Sequence, residues 1–147
     1  MTGRTALLAA GWASVAASLL HAATIFGGAD WYRFFGAGEP MARAAERGSP
    51  VPAIATFAIA IILGVWALYA FGAAGKVRRL PLIRTALVAI SAVLLARAAL
   101  AFVPAAWAPE HGPAFIAWSS AICFAMGALF AFGTWRIWPQ LSVKVRS

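Results

Sequence analysis

LIRTALVAISAVLLARAALAFV, residues 82–103, is the stretch on which the fold turns. Its longest uncharged run is 12 residues, 85–96, because Arg84 and Arg97 interrupt it. A membrane-crossing helix needs about 20 predominantly apolar residues. Read strictly, the stretch fails that test and the chain would cross a bilayer three times. The positions of the two arginines reverse that count. Arg84 lies in the first turn, where its aliphatic stem lets the guanidinium snorkel to the lipid headgroups. Arg97 costs about 2.5–3.5 kcal/mol at the centre of a span and less away from it, a penalty that the surrounding Leu, Ile, Val, Phe and Ala offset. Residues 82–103 are therefore expected to form the third of four spanning helices.

The flanking chain supports that count. Residues 5–29, 48–75 and 112–135 carry no charged side chain, and each exceeds the span requirement. Arg4, then Lys76, Arg78, Arg79 and Arg84, then Arg136, Lys144 and Arg146 fall on one side of a four-span layout. Every acidic residue, Asp30, Glu39, Glu46 and Glu110, falls on the other, accompanied only by Arg33, Arg43 and Arg47. Basic residues favour the cytoplasm, so both termini and the 76–79 loop are expected inside. Three spans would place the basic C-terminal tail outside, against that bias. The uncharged first stretch is also longer than the roughly 7–15 apolar residues of a signal peptide, so an uncleaved helix is expected.

Composition leads the same way. Of the 147 residues, 63% are hydrophobic and 11% charged, against roughly 25% charged in a soluble domain. The net charge of +8 comes from residues split among termini and short loops. They form no basic stripe with interleaved aromatics, which excludes a nucleic-acid interface. Cys123 is the sole cysteine, so no disulfide framework exists.

The sequence thus predicts an all-α, four-transmembrane-helix bundle forming a single membrane domain over 1–147. Its helices run at about 5–27, 52–73, 82–103 and 113–135, and a short amphipathic helix occupies the first outer loop, 28–50. Gly27-Gly28, Pro52, Gly72 and Gly75, Pro104 and Pro113 supply the boundaries. Trp31, Tyr32 and Trp107 mark the outer interface, and Tyr69, Trp135 and Trp138 the inner one. Small residues repeat at four-residue spacing as Ala9, Ala13 and Ala17, as Ala117, Ala121 and Ala125, and as Cys123, Gly127 and Ala131. Such rows let helix backbones approach closely. No internal repeat of the kind that builds inverted-repeat transporters is visible.

In the outer loop, Trp31, Phe34 and Phe35 beside Arg33 read as an interfacial turn with rings dipped toward lipid. Pro40 then suits the first position of a short helix that ends before Gly48. Glu39–Arg43 and Arg43–Glu46 are spaced for ion pairs.

Two residues inside the spans demand partners, His21 and Arg97. Each lies six residues below its helix's expected outer end, hence roughly 9 Å inside the boundary at 1.5 Å per residue. Thr56, Ser119 and Ser120 fall in the same layer. Ser14, Ser18, His21 and Thr24 form one polar stripe on the first helix. An ionisable residue at membrane depth marks a functional site by default. The expected site joins His21, Arg97, Thr56, Ser119 and Ser120 beneath Asp30 and Trp31 of the outer loop, and would take a quinone head, a lipid headgroup or an anion. The plainer reading has Arg97 snorkelling outward to Asp30 or Glu110, and His21 as a neutral packing residue.

Enzymatic chemistry finds little footing. The chain has two His and no acidic residue within a span, too few ligands for a metal centre. His21 and His111 could together ligate a haem, but His111 sits in a Pro-flanked loop with nothing else to fix it. No paired carboxylates, charge relay or phosphate-cradling glycine loop is present. Arg97 would oppose cations in a conduit and favour anions.

With GGADWYRFFGAGE after the first helix (residues 27–39) and RRLPLIRTALVAI opening the third (78–90), the chain resembles a group of small four-helix inner-membrane proteins of Gram-negative bacteria. It is similar to the DoxX-like proteins in size and topology only. The resemblance implies a bacterial inner membrane and assigns no residue a role. The expected function is a non-enzymatic accessory or ligand-binding membrane component, alone in the bilayer, as a homo-oligomer or in a larger complex. No resident cofactor is expected, although a quinone or lipid would suit the pocket. Two alternatives stay open: an oligomeric transporter or channel for an anion or small metabolite, and a quinone- or haem-associated subunit of a redox complex.

Overall fold

Thr2 starts the first helix: in extended conformation, it accepts the Thr5 N–H on its hydroxyl at 3.1 Å, satisfying one of the donors a helix start leaves open. In the computed structural model, which describes residues 1–107 and 111–142, this helix (α1) runs Gly3–Phe34. α2 follows at Glu39–Glu46, α3 at Val51–Ala73, α4 at Ile83–Ala99 and α5 at Pro113–Arg136. Tight 3₁₀ turns extend α4 through Leu100–Phe102, then occupy Pro104–Ala106 and Trp138–Ser142. The described residues form no strand. Four helices are long and apolar enough to cross a membrane: Gly3–Phe34, Val51–Ala73, Ile83–Phe102 and Pro113–Arg136. The stretch broken by Arg84 and Arg97 is one of them.

Helix α1 is longer than its sequence suggests. Gly28 breaks it with φ 68° and ψ −155°, and helical structure then resumes to Phe34, where a loop was expected. The Phe35 N–H closes that second segment on Trp31 O at 2.9 Å. A glycine followed by a polar-aromatic run reads as the end of a helix, but here glycine serves as a hinge within it.

Successive long helices run antiparallel, which sorts the chain ends and loops into two sets. Arg4, Lys76, Arg78, Arg79, Arg84 and Arg136 gather at one end of the bundle, the basic end. Asp30, Glu39 and Glu46 gather at the other, the acidic end. α1 packs extensively along α3 and α5, and α5 along α4, while α3 and α4 touch much less. α1 and α4 therefore lie across the diagonal. The main core occupies the basic half, where Leu7, Leu87, Ile90, Met126 and Phe130 meet Ala70, Ala73 and Ile137.

Glycines permit the closest approaches. A side chain on Gly133 would meet Leu7 at 2.7 Å, and one on Gly127 would meet Leu95 at 2.9 Å. The expected small-residue rows hold in part. Gly127 is buried and Cys123 partly so, facing α4. Ala117, Ala121 and Ala125 are exposed, as is Ala9, and α1 packs instead through Ala6, Ala10, Gly11 and Ser14. The exterior is apolar: Phe26 is 91% exposed and Phe102 87%. The buried set includes Ser14, Thr24, Thr56, Ser91, Ser120 and Thr134, the distribution expected where lipid replaces water around a bundle.

Candidate functional site

At the acidic end, the segment of α1 beyond Gly28 carries Arg33 into a set of carboxylates. Its Nε donates to Glu39 Oε2 at 2.8 Å and its Nη2 to Glu46 Oε1 at 2.7 Å. Its Nη1 reaches Asp30 Oδ1 at 3.3 Å, and Arg43 Nε adds a bond to Glu39 Oε1 at 3.0 Å. The expected Glu39–Arg43 pair is present, but Glu46 turns to Arg33 instead of Arg43. The Arg33 guanidinium and then that of Arg43 hold the Glu39 carboxyl down to about 2. Arg33 thus clips α2 onto the end of α1 and engages Asp30, Glu39 and Glu46 together.

Arg97 consequently has no carboxylate from this set, contrary to the expectation that it would snorkel to Asp30; Glu110, the other expected partner, lies outside the described residues. Arg97 stands in the last turn of α4, half-buried, with its guanidinium 4.3 Å from the Trp107 ring centroid. The chain reverses through Pro104–Ala106 to bring that ring back, and Trp107 Nε1 donates to Leu100 O at 2.8 Å, fixing its orientation. A guanidinium over an indole face is stabilised by the ring quadrupole, more so away from water. Arg97 Nη1 is buried and has no hydrogen-bond partner among the described residues.

The cluster continues beyond Trp107. His111 meets the Trp107 ring edge-on at 5.8 Å and stacks on Phe115 at 4.9 Å. His111 Nε2 bonds Gly36 O at 3.0 Å. A carbonyl only accepts, so that nitrogen carries the hydrogen and Nδ1 of the neutral ring is left as an acceptor. Nδ1 is buried without a partner. Gly36, at φ 76°, fits because any side chain would enter the Phe115 ring. His111 is thereby fixed to the α1–α2 turn, contrary to the expectation of an unanchored loop residue.

The residues singled out from sequence take separate places. His21, half-buried on α1, donates from Nδ1 to Ala17 O at 2.8 Å. Its neighbours in the polar stripe are similarly occupied: Ser14 bonds Ala10 O, Thr24 bonds Leu20 O, and Ser18 crosses to Ala60 O of α3 at 2.7 Å. Thr56 is buried on α3. On α5, Ser119 makes a long bond to Ile116 O at 3.4 Å, and the buried Ser120 hydroxyl has no partner. Asp30 is exposed in the Arg33 clip, and Trp31 is exposed with its ring 5.7 Å from that of Phe35. No hydrogen bond joins any two of these seven residues, and His21 and Arg97 stand on the two helices of the diagonal.

Trp107 and His111 were not singled out as site residues. Their signal is faint, since Trp107 reads as one more interfacial aromatic until the turn at Pro104 folds it onto Arg97. Chemically, the cluster offers a buried cationic donor and a buried imidazole acceptor around an aromatic wall. Among the described residues no three His, Cys, Asp or Glu side chains assemble into a metal-binding group. No protein-family model, curated protein or solved structure matches the chain.

Proposed function

We propose that this chain is a multipass protein of a bacterial inner membrane, with both termini cytoplasmic, and that it acts as a non-enzymatic ligand-binding or accessory component. Its ligand presents an acceptor oxygen, as a quinone head, a lipid headgroup or a small anion does, to Arg97 at the outer end of the bundle. The observation that carries this reading is Arg97 Nη1, buried beside Trp107 with no partner. A guanidinium at membrane depth without a counter-group is costly, and among the described residues the carboxylates, Asp30, Glu39 and Glu46, are bound to Arg33. An incoming acceptor oxygen would complete the guanidinium's hydrogen bonds in a low-dielectric setting, where a charge-assisted bond is strong.

The packing of the basic half favours binding over conduction. Leu87, Ile90, Leu94, Met126 and Phe130 fill the bundle there, leaving the polar groups of the acidic end without an aqueous continuation through one copy. The decisive experiment compares what copurifies in mild detergent with the wild type, Arg97→Lys and Arg97→Ala, using native mass spectrometry and organic extraction. A specific ligand should accompany the wild type, weaken in the lysine variant and vanish in the alanine variant. Identical extracts from all three would remove the site. Anion flux in liposomes that disappears with Arg97→Ala would replace binding by transport.

A further inference from the structure

A further cavity lies at the other end of the bundle. A crevice of about 740 Å³ opens at the basic end between the start of α1 and the end of α5. Thr2, Gly3, Arg4, Trp135, Arg136 and Gln140 line it. The two arginines converge there because α1 and α5 pack closely at Gly3, where even a methyl group would lie 2.6 Å from Arg136 Cβ. Among the described residues neither arginine pairs with a carboxylate. Arg4 Nη2 donates to the neutral Gln140 Oε1 at 3.3 Å, and Arg136 lies 5.9 Å from the Phe132 ring centroid. The described ion pairs all belong to Arg33 and Arg43 at the far end. The start of α1 lines the same crevice; Thr2 takes the Thr5 and Ala6 N–H groups, and those of Gly3 and Arg4 have no intrahelical carbonyl to reach, at the positive end of a helix dipole. Two guanidiniums beside a helix start, with no counter-charge among the described residues, are the chemistry of a phosphate site.

A second cavity adjoins the same tryptophan. An apolar slot of about 370 Å³ runs along the α4–α5 seam, lined by Val88, Ser91, Ala131, Thr134, Trp135 and Trp138. Trp135 forms a wall of both cavities and is 70% exposed. Thr134 is 4% exposed, and its hydroxyl has no partner. It lies roughly 3 Å along the axis from Arg136 and about 200° around the helix, on the α4 side of Trp135 where Arg136 is on the α1 side. A ligand that reaches around the exposed Trp135 would meet the crevice arginines, then the Thr134 hydroxyl, then the apolar slot, the order of phosphate, glycerol ester and acyl chain in one molecule.

We propose that the basic end holds one anionic phospholipid. Its phosphate lies between Arg4 and Arg136, its ester carbonyl accepts from Thr134 Oγ1, and one acyl chain follows the slot past Trp135. This site is separate from Arg97 and stands whether or not that one does. The test uses the full chain in detergent with phosphatidylglycerol as the probe, counting retained lipid by native mass spectrometry. The wild type should keep one molecule under activation that strips the others. Arg4→Gln with Arg136→Gln should lower that retention by about tenfold, as expected for losing charge-assisted bonds worth about 1.4 kcal/mol together. Thr134→Val, which leaves the charge intact, should lower it severalfold and covers the case in which the double variant fails to fold. Lys76→Gln with Arg78→Gln removes the same charge from the same end outside the crevice and should leave retention unchanged. Equal loss in that control, undiminished binding in the double and Thr134 variants, or displacement of the lipid by millimolar inorganic phosphate would each overturn the proposal.

Discussion

Gly28 holds φ 68° and ψ −155°, a region open essentially to glycine alone. A Cβ there would meet nothing within 4 Å, so sterics with neighbours play no part. Gly28→Ala should therefore cost about 1–3 kcal/mol from backbone strain alone, read as a shift in denaturant midpoint in detergent. An unchanged midpoint would mean that the kink relaxes freely. Gly36 is the contrasting case, with φ 76° and the Phe115 ring where its side chain would stand. Arg97 shows the same limit of residue-level reading from the other side. Its membrane depth is legible in the sequence and marks it as needing a partner. Which partner it takes depends on Trp107, ten residues further on, and on the reversal at Pro104.

Between elements, the Arg33 clip is electrostatic and so depends on pH. Glu39 titrates near 4.5 when unpaired and at about 2 in the folded chain. A carboxyl with a depressed folded value contributes stability that is complete above about 4.5 and is lost as the pH falls through about 2. Pepsin cleavage within residues 37–49 should therefore rise as the pH is lowered across that window. Arg33→Ala should be cleaved readily at its upper edge already; equal resistance of the variant and the wild type throughout would show that α2 is held by other contacts. The α4–α5 pairing is steric instead. A methyl at Gly127 would lie 2.9 Å from Leu95 Cγ and 3.1 Å from Leu94 Cβ. Gly127→Ala should cost about 1–3 kcal/mol through overpacking, measured by thermal or denaturant unfolding. A stabilised variant would mean that the seam has slack.

Across the whole molecule, apolar side chains are both the core and the surface, and only position separates the two. Phe130 is fully buried and Phe26 is 91% exposed. Phe130→Ala should cost about 3–5 kcal/mol by opening a cavity, whereas Phe26→Ala should fall within about 0.5 kcal/mol. Comparable losses in paired unfolding measurements would contradict this core. The concentration of that core in the basic half leaves the acidic end to be held by different forces: the Arg33 clip, the Arg97–Trp107 contact and the His111–Gly36 bond. Mutations in the two halves should consequently differ in salt sensitivity, with the acidic end the more sensitive.

The number of long apolar helices followed from the sequence, because a span requires an uncharged length that counting detects without any knowledge of neighbours. Even residues 82–103 yielded to that logic once the cost of Arg97 was weighed against its apolar surroundings. Helix faces did not follow. In a helix apolar all round, periodicity gives no sign of which side packs, and so Ala117, Ala121 and Ala125 look equivalent to Ala6 and Ala10 until Leu7 and Phe130 fix the interface. The partners of the charged groups were likewise decided in three dimensions. Arg33, and not Arg97, engages Asp30, Glu39 and Glu46, because the hinge at Gly28 aims a second helical segment at α2. Composition specified that polar groups at membrane depth must be satisfied; tertiary structure alone determined that Arg97 would rest on Trp107 with one nitrogen unpaired.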